Sequence, residues 1–240
     1  MLDVHYIGTA NGLKLAIMLA ETGLPYTIRT YEMFTGEHLT AEFRRMNPNN
    51  KLPVIVDNDP ADGGPPLPVF ETGAILTYLA EKTGVLMPTD FRRRELAQQW
   101  LTWQVAGQGP MNGQAHHFVR YAPEGQDYGV QRYTREAERL LHVLEYRLEQ
   151  ADYLAEEYSI ADIACFPWVQ GSPMIGIGLD QFPAITAWSQ RIFSRPQVAA
   201  AIANPEFAVP QHYLQGRARL TEEEWSAMFG DRLHAVARAR

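Results

Sequence analysis

The sequence predicts an α/β domain followed by an all-α domain. Three features carry that expectation. Short strand and helix signals alternate over residues 3–88, Met87-Pro88-Thr89-Asp90 interrupts them, and helical periodicity dominates afterwards. The first domain is placed at 1–87, the helical domain at 90–204, and a C-terminal extension at 205–240.

In the first domain, Asp3–Ile7 reads as a strand. Leu13–Glu21 has helix periodicity, with Gly23 near its end and Pro25 beyond. Tyr26–Tyr31 alternates apolar and polar residues, as a strand does. Thr40–Met46 reads as a short helix stopped by Asn47-Pro48, and Leu52–Val56 as a third strand. Asp59–Pro66 holds three prolines and two glycines, so it is a turn. Val69-Phe70 is a short fourth strand, and Thr72–Lys82 a helix ended by Gly84. The order βαβ, then ββα, is that of a thioredoxin-like sandwich.

In the second domain, Thr89 is placed to cap a long helix from Asp90 to about Arg120, and a second long helix runs from Tyr128 to Gln150. Ser159-Ile160-Ala161-Asp162 reads as a capping box with Asp in the Glu position, a folding device that opens a buried helix. Further helices follow Phe182-Pro183 and cover Pro196–Ala203. Thr221-Glu222-Glu223-Glu224 starts the expected last helix of an otherwise weakly amphipathic tail.

Composition is that of a folded chain, 46% hydrophobic and 20% charged. A net charge of −7 argues against nucleic acid as a partner, because phosphate binding needs a basic face. No apolar run approaches the ~20 residues of a membrane span, and Met1-Leu2-Asp3-Val4-His5 lacks the pattern of a signal peptide. The single cysteine, Cys165, cannot form an intramolecular disulfide and suits a reducing cytoplasm.

Three short motifs carry possible chemistry. Thr9-Ala10-Asn11-Gly12 sits between the first strand and first helix, where a thioredoxin-type enzyme has Cys-x-x-Cys. It offers instead a hydroxyl, an amide and the free N–H groups of a helix start. A thiolate brought by a cosubstrate would be stabilised there, its pKa lowered from about 8.5. Alternatively Asn11 merely caps the helix. Leu52-Pro53-Val54 heads a buried strand. A cis bond there would free the Leu52 backbone to pair with an extended peptide, and the alternative is an ordinary edge-strand proline. Glu71-Thr72-Gly73 opens another helix, where Thr72 and nearby N–H groups suit a carboxylate and Glu71 an α-ammonium, unless the motif is a plain cap. A ligand with an amino acid at one end and a thiol about one tripeptide away would fill both helix starts.

Over residues 1–204 the chain resembles the cytosolic glutathione S-transferase superfamily, specifically the bacterial nu class, the disulfide-bond oxidoreductase group. The matching residues are Thr9-x-Asn11-Gly12, Asn47-Pro48-Asn49-Asn50-Lys51-Leu52-Pro53, Asp62-Gly63-Gly64, Phe70-Glu71-Thr72-Gly73-Ala74-Ile75, Gln99-Trp100-Leu101-x-Trp103-Gln104, Gly109-Pro110-Met111-x-Gly113-Gln114-x-His116-His117-Phe118 and Tyr158-Ser159-Ile160-Ala161-Asp162-Ile163-Ala164. The resemblance implies the cytosolic glutathione transferase fold, a homodimer, and glutathione as cosubstrate, with two per subunit in the reductase version. It implies that Thr9 and Asn11 donate to the glutathione sulfur as the catalytic pair and that Leu52 pairs with the cysteinyl unit. Glu71 and Thr72 would hold the γ-glutamyl end, and His38 and Lys51 would lie near the glycine carboxylate. Arg132 would reach a second glutathione, although its bland reading is an intrahelical pair with Glu136.

Two positions depart from the group. Thr72 stands where serine is usual, adding a methyl, and His38 where Gln is frequent, so that its charge would depend on pH. Trp100, Trp103 and Trp168 are expected in the core. His116-His117 makes a poor metal site, and no metal is expected. Arg92-Arg93-Arg94 reads as a solvated helix face, and Cys165 as buried and inert. The expected function is glutathione-dependent disulfide reduction and thiol transfer. The alternatives are a conjugating transferase or thioether lyase on a small electrophile, and a non-catalytic binding module.

Overall fold

A computed structural model describes residues 1–214 and 220–238. Leu2–Tyr6 (β1) runs parallel to Tyr26–Thr30 (β2) and antiparallel to Val54–Asp57 (β3). Leu67–Phe70 (β4) closes the sheet against β3, giving the order β2-β1-β3-β4. In this register Val4 lies opposite Ile28 on one side and Ile55 on the other. Side chains alternate along a strand. Leu2, Val4 and Tyr6 therefore share one face, buried with Leu15, Leu19, Ile75 and Leu79 of Ala10–Thr22 (α1) and Thr72–Thr83 (α3). His5 takes the other face. There it meets Tyr31 and Phe43, the latter on the short helix Ala41–Met46 (α2). This is the expected thioredoxin-like sandwich. Gly12 lets α1 begin hard against the sheet, because a Cβ there would stand 2.0 Å from the Ile7 carbonyl oxygen.

The helical half follows the expected order with three corrections. The rod predicted from Asp90 to Arg120 is capped by Asp90, whose carboxylate accepts from the Arg93 N–H, and not by Thr89. It is also not one regular helix. Phe91–Trp103 (α4) passes through a π turn at Gln104–Gln108 into Gly109–His116 (α5) and a second π turn at His117–Tyr121. Pro110 has no N–H to give back along the helix, and the rod widens just ahead of it. Asp127–Leu148 (α6), Ile160–Gln170 (α7), Pro183–Phe193 (α8) and Pro196–Ala203 (α9) complete the bundle. Thr221 caps the predicted tail helix, Glu222–Met228 (α11), which follows the short turn Gln211–Leu214 (α10). It is not the last helix, because Asp231–Arg238 (α12) continues beyond it. No helix among the described residues is long and apolar enough to cross a membrane.

One apolar core runs from the sheet through α1 into α7, α8 and α9. At its centre is the fully buried Asp162. It accepts from the N–H groups of Leu154 and Ser159 at 3.0 Å each and from the Trp188 indole at 2.8 Å, so the expected capping box also ties two other segments to α7. Cys165 is buried beside it, and burial pushes its thiol pKa well up. Loss of the cap hydroxyl in Ser159→Ala is expected to cost about 1 kcal/mol. Asp162→Ala strands four buried donors, those three N–H groups and the Ser159 hydroxyl at 3.2 Å, and is expected to cost about 3 kcal/mol or more. Urea unfolding compares the two, and a smaller loss for Asp162→Ala contradicts the central role of that carboxylate.

Candidate active site

The first strand ends one turn before a helix start, and that start opens into a cleft. Thr9 is the N-cap of α1, its Oγ1 accepting from the Gly12 N–H at 3.2 Å. The capping role considered for Asn11 therefore belongs to Thr9, because only the residue ahead of the first turn has the extended backbone that a cap needs. The Thr9 hydroxyl accepts within the cap, and its proton stays available to the cleft. Asn11 lies inside the first turn, where its Oδ1 accepts from the Trp168 indole N–H at 3.1 Å. That contact assigns the amide orientation and leaves the Nδ2 hydrogens for the cleft. Trp168, expected in the core, instead lines the cavities around Thr9 and Asn11.

The loop after α2 is held by its asparagines. Asn47 Nδ2 donates to the Lys51 carbonyl at 2.8 Å, and Asn50 Nδ2 to the His38 carbonyl at 3.0 Å. Asn50 itself sits at φ 49. The Leu52-Pro53 bond is cis, and the β3 ladder begins only at Val54, so Leu52 faces the cleft outside the sheet. His38 lines the same wall with its Nδ1 buried and unpartnered. Burial and the nearby Lys51 charge push its pKa down to about 4. The pH-dependent charge expected for His38 is thus absent near neutrality, where the ring is neutral with one N–H to donate.

The second helix start faces the first. Glu71 precedes α3 at φ 68, a conformation that costs about 1–3 kcal/mol for a non-glycine residue. Its side chain makes no cap bond, and both Glu71 and Thr72 border cavities shared with Asn11. Their volumes are about 330 and 210 Å3. Lys14, one turn along α1 from Asn11, also lines the larger one. Lys14 is not legible as a site residue in the sequence, where its only signal is a lone cation in the run Leu13 to Leu19.

The structure brings together Thr9, Asn11, His38, Lys51, Leu52, Glu71 and Thr72 around connected cavities, and leaves Arg132 out. Arg132 is exposed on α6, 3.7 Å from Glu136, which also binds Arg139, and it borders none of the described cavities. The outer wall comes from the C-terminal extension, which no sequence signal places here. Ala227, Met228, Phe229 and Leu233 close a cavity of about 370 Å3 over Thr9, Asn11 and His38. Phe229 packs on His117 with ring centroids 4.6 Å apart, and Arg232 donates to the Thr35 carbonyl at 3.2 Å. A more apolar cavity of similar size extends from Thr9 toward Met33, His116 and Met174. Among the described residues no group of three or more His, Cys, Asp or Glu is arranged to hold a metal ion.

Known proteins share this fold. Residues 4–81 match the glutathione S-transferase N-terminal domain and residues 114–196 the glutathione S-transferase C-terminal domain. The disulfide-bond oxidoreductase YfcG of Escherichia coli (strain K12) is 48% identical over 203 residues, 84% of this chain and 94% of the relative. The disulfide-bond oxidoreductase YghU of the same organism is 35% identical over 212 residues, 82% of this chain and 72% of the relative. A glutathione transferase from Burkholderia graminis, solved with two glutathione molecules bound per subunit, superposes with a TM-score of 0.81 at 42% identity, over 86% of this chain and 89% of that one. One from Pseudomonas putida, with one glutathione disulfide bound per subunit, gives 0.79 at 39% identity, over 85% and 91%. With both domains matched and nearly half the residues shared with one relative, the chain belongs to the glutathione S-transferase family.

Proposed function

We propose that the chain binds glutathione and acts as a glutathione-dependent disulfide-bond reductase and thiol transferase. The observation that carries this reading is a cleft of adjoining cavities that joins two helix starts, with the donors of Thr9 and Asn11 at one end and Glu71 and Thr72 at the other. The chain's own thiol is buried elsewhere. In this reading Thr9 and Asn11 stabilise the glutathione thiolate and Leu52 pairs through its backbone with the cysteinyl unit. His38 and Lys51 lie by the glycine carboxylate, while Glu71 and Thr72 hold the γ-glutamyl end. Residues 1–87 supply this glutathione half, 90–204 the facing helices, and Ala227, Met228, Phe229 and Leu233 of the extension the outer wall.

The chemistry is two thiol–disulfide exchanges. The bound thiolate attacks one sulfur of a substrate disulfide, forming a mixed disulfide and expelling the other sulfur as a thiolate. A second glutathione attacks the glutathione sulfur of the mixed disulfide and releases the remaining thiol, so two glutathiones become one glutathione disulfide. The protein contributes position and electrostatics, not a nucleophile. The apolar cavity beside Thr9 favours a second reading, conjugation of the same thiolate to a small apolar electrophile. A homodimer is supported by exposed apolar side chains at Leu67 and Phe70 on the edge strand and at Phe91 and Val105 on the neighbouring rod.

Retention on immobilised glutathione, with turnover of a small disulfide, tests the reading, and a protein that does neither overturns it. Asn11→Ala is expected to raise the barrier by about 2–4 kcal/mol, as loss of an oxyanion donor does, and more than Thr9→Ala. Thr9→Ala alone should also lose about 1 kcal/mol of stability with its cap. Kinetics and melting curves of both variants separate the effects, and parent-like rates in both remove the thiolate-site assignment.

Cys165→Ser is expected to keep disulfide reductase activity while losing stability, because a hydroxyl is then buried without an assured partner. A folded, glutathione-binding variant without turnover would put a protein thiol back into the mechanism. Arg132 is proposed to leave its exposed pair with Glu136, worth only about 0.2–0.5 kcal/mol, for the carboxylate of a second glutathione. Calorimetry of Arg132→Ala should then show two bound glutathiones falling to one, with slower disulfide reduction. Unchanged stoichiometry and rate would assign Arg132 to the helix surface.

A further inference from the structure

Lys14 is 2% exposed in the second turn of α1, inside the apolar run that packs on the sheet. Its ammonium donates to Thr72 Oγ1 at 3.1 Å and to Gln104 Oε1 at 2.7 Å, joining α1 to the start of α3 and to the first π turn. An ammonium has three donors, and the third has no acceptor among the described residues. Nor does Lys14 form an ion pair with any carboxylate among them. It borders the cavity that Asn11, Glu71, Thr72 and Gln104 enclose. Burial of an unpaired cation is costly, and a bound anion offsets that cost.

We propose that Lys14 is the positioning residue of the γ-glutamyl subsite, where its charge selects the α-carboxylate and its hydrogen bond orients the Thr72 hydroxyl toward that group. The proposal rests on the glutathione reading given above. Because the Thr72 oxygen accepts from Lys14, its one proton is turned away from Lys14. The N–H groups of the α3 start add donors on the same side, so the subsite presents positive character from three sources.

Burial also pushes the Lys14 pKa down, to about 7. The ionisable groups that face it are Glu71, ahead of α3, and Cys165 on α7, whose thiol stays neutral. Gln104, from the π turn, is uncharged. His38, farther along the cleft, is already deprotonated above pH 6, its pKa lying near 4. Carboxylate binding therefore favours the protonated form of Lys14, is strongest at the acid end of the neutral range, and weakens as pH rises through 7.

The test uses S-methylglutathione, which has no thiol to titrate, and its analogue with γ-aminobutyryl in place of γ-glutamyl, which lacks only the α-carboxylate. Calorimetry on the full chain should show S-methylglutathione binding weaken about tenfold between pH 6 and pH 8. Binding of the analogue should stay flat. Lys14→Met should bind S-methylglutathione about tenfold or more weakly, with no pH slope and little discrimination between the two ligands. In turnover it should raise the glutathione KM far more than it lowers kcat. A pH-independent preference of the parent protein for S-methylglutathione over the analogue overturns the proposal, even if Lys14→Met fails to fold. So does a folded Lys14→Met that keeps the parent's affinity and slope. Failure of the parent to bind S-methylglutathione at any pH would instead overturn the glutathione reading itself.

Discussion

The structure depends on one helix that has to satisfy two cores. From Lys14 to Leu19 every residue of α1 is buried, with the sheet and α3 on one side and α7 and α9 on the other. A helix enclosed on nearly all sides has no surface left for function except its ends. Its N-terminus is therefore where the chemistry collects, and Gly12 sets how closely that end approaches the first strand. The orphan N–H groups of the first turn, the Thr9 cap and the Asn11 amide are all held by a helix that cannot shift without disturbing both halves. On the proposed function, this preorganisation is what would let a site built mostly of hydrogen bonds hold a reactive sulfur.

Local chemistry made much of this legible from sequence. The thioredoxin-like order followed from strand and helix signals punctuated by Gly23, Pro25, Asn47-Pro48 and Gly84. The box at Ser159 and Asp162 was readable because its two halves lie three residues apart. What was not legible depended on partners far apart in the chain. Trp168 looked like core because nothing local shows that its indole reaches Asn11, 157 residues away. Lys14 gave no hint that Thr72 and Gln104 converge on it. The two π turns were hidden because helical periodicity barely changes when one turn gains a residue. The tail's place over the cleft rests on contacts such as Phe229 with His117, which no spacing rule encodes.

The treatment of sulfur follows from the same packing. Cys165 lies in α7, where burial keeps it protonated, while the position open to thiol chemistry carries hydroxyl and amide donors. A thiol fixed in the core and donors fixed at the surface divide two properties that a redox cysteine must combine, low pKa and access. On the proposed function the sulfur comes from outside, and the chain has only to recognise the carrier and polarise one atom. Glu71, with its strained backbone, and the asparagine-held loop before β3 share one cavity with Asn11, so recognition of the carrier and polarisation of its sulfur would rest on the same rigid frame.

The cleft's walls differ in firmness, and the difference bears on what reacts with the bound sulfur. The inner wall is α1 and α7, locked by Asp162, by the Trp168 to Asn11 hydrogen bond and by continuous apolar packing. The outer wall is α11 and α12. Of these, α11 buries only Ala227 and α12 buries nothing. They are held by exposed hydrogen bonds from Arg232 and Arg44 and by the aromatic contacts of Trp225 and Phe229. Few buried contacts and solvent-exposed bonds mark a segment of low local stability. On the proposed function the firm side would fix the first sulfur, and the side facing an incoming disulfide would be displaced at small cost. Met228, Phe229 and Leu233 line that side, so an apolar substituent on a second substrate packs against it, while a negative one has Lys51 across the same cavity to meet.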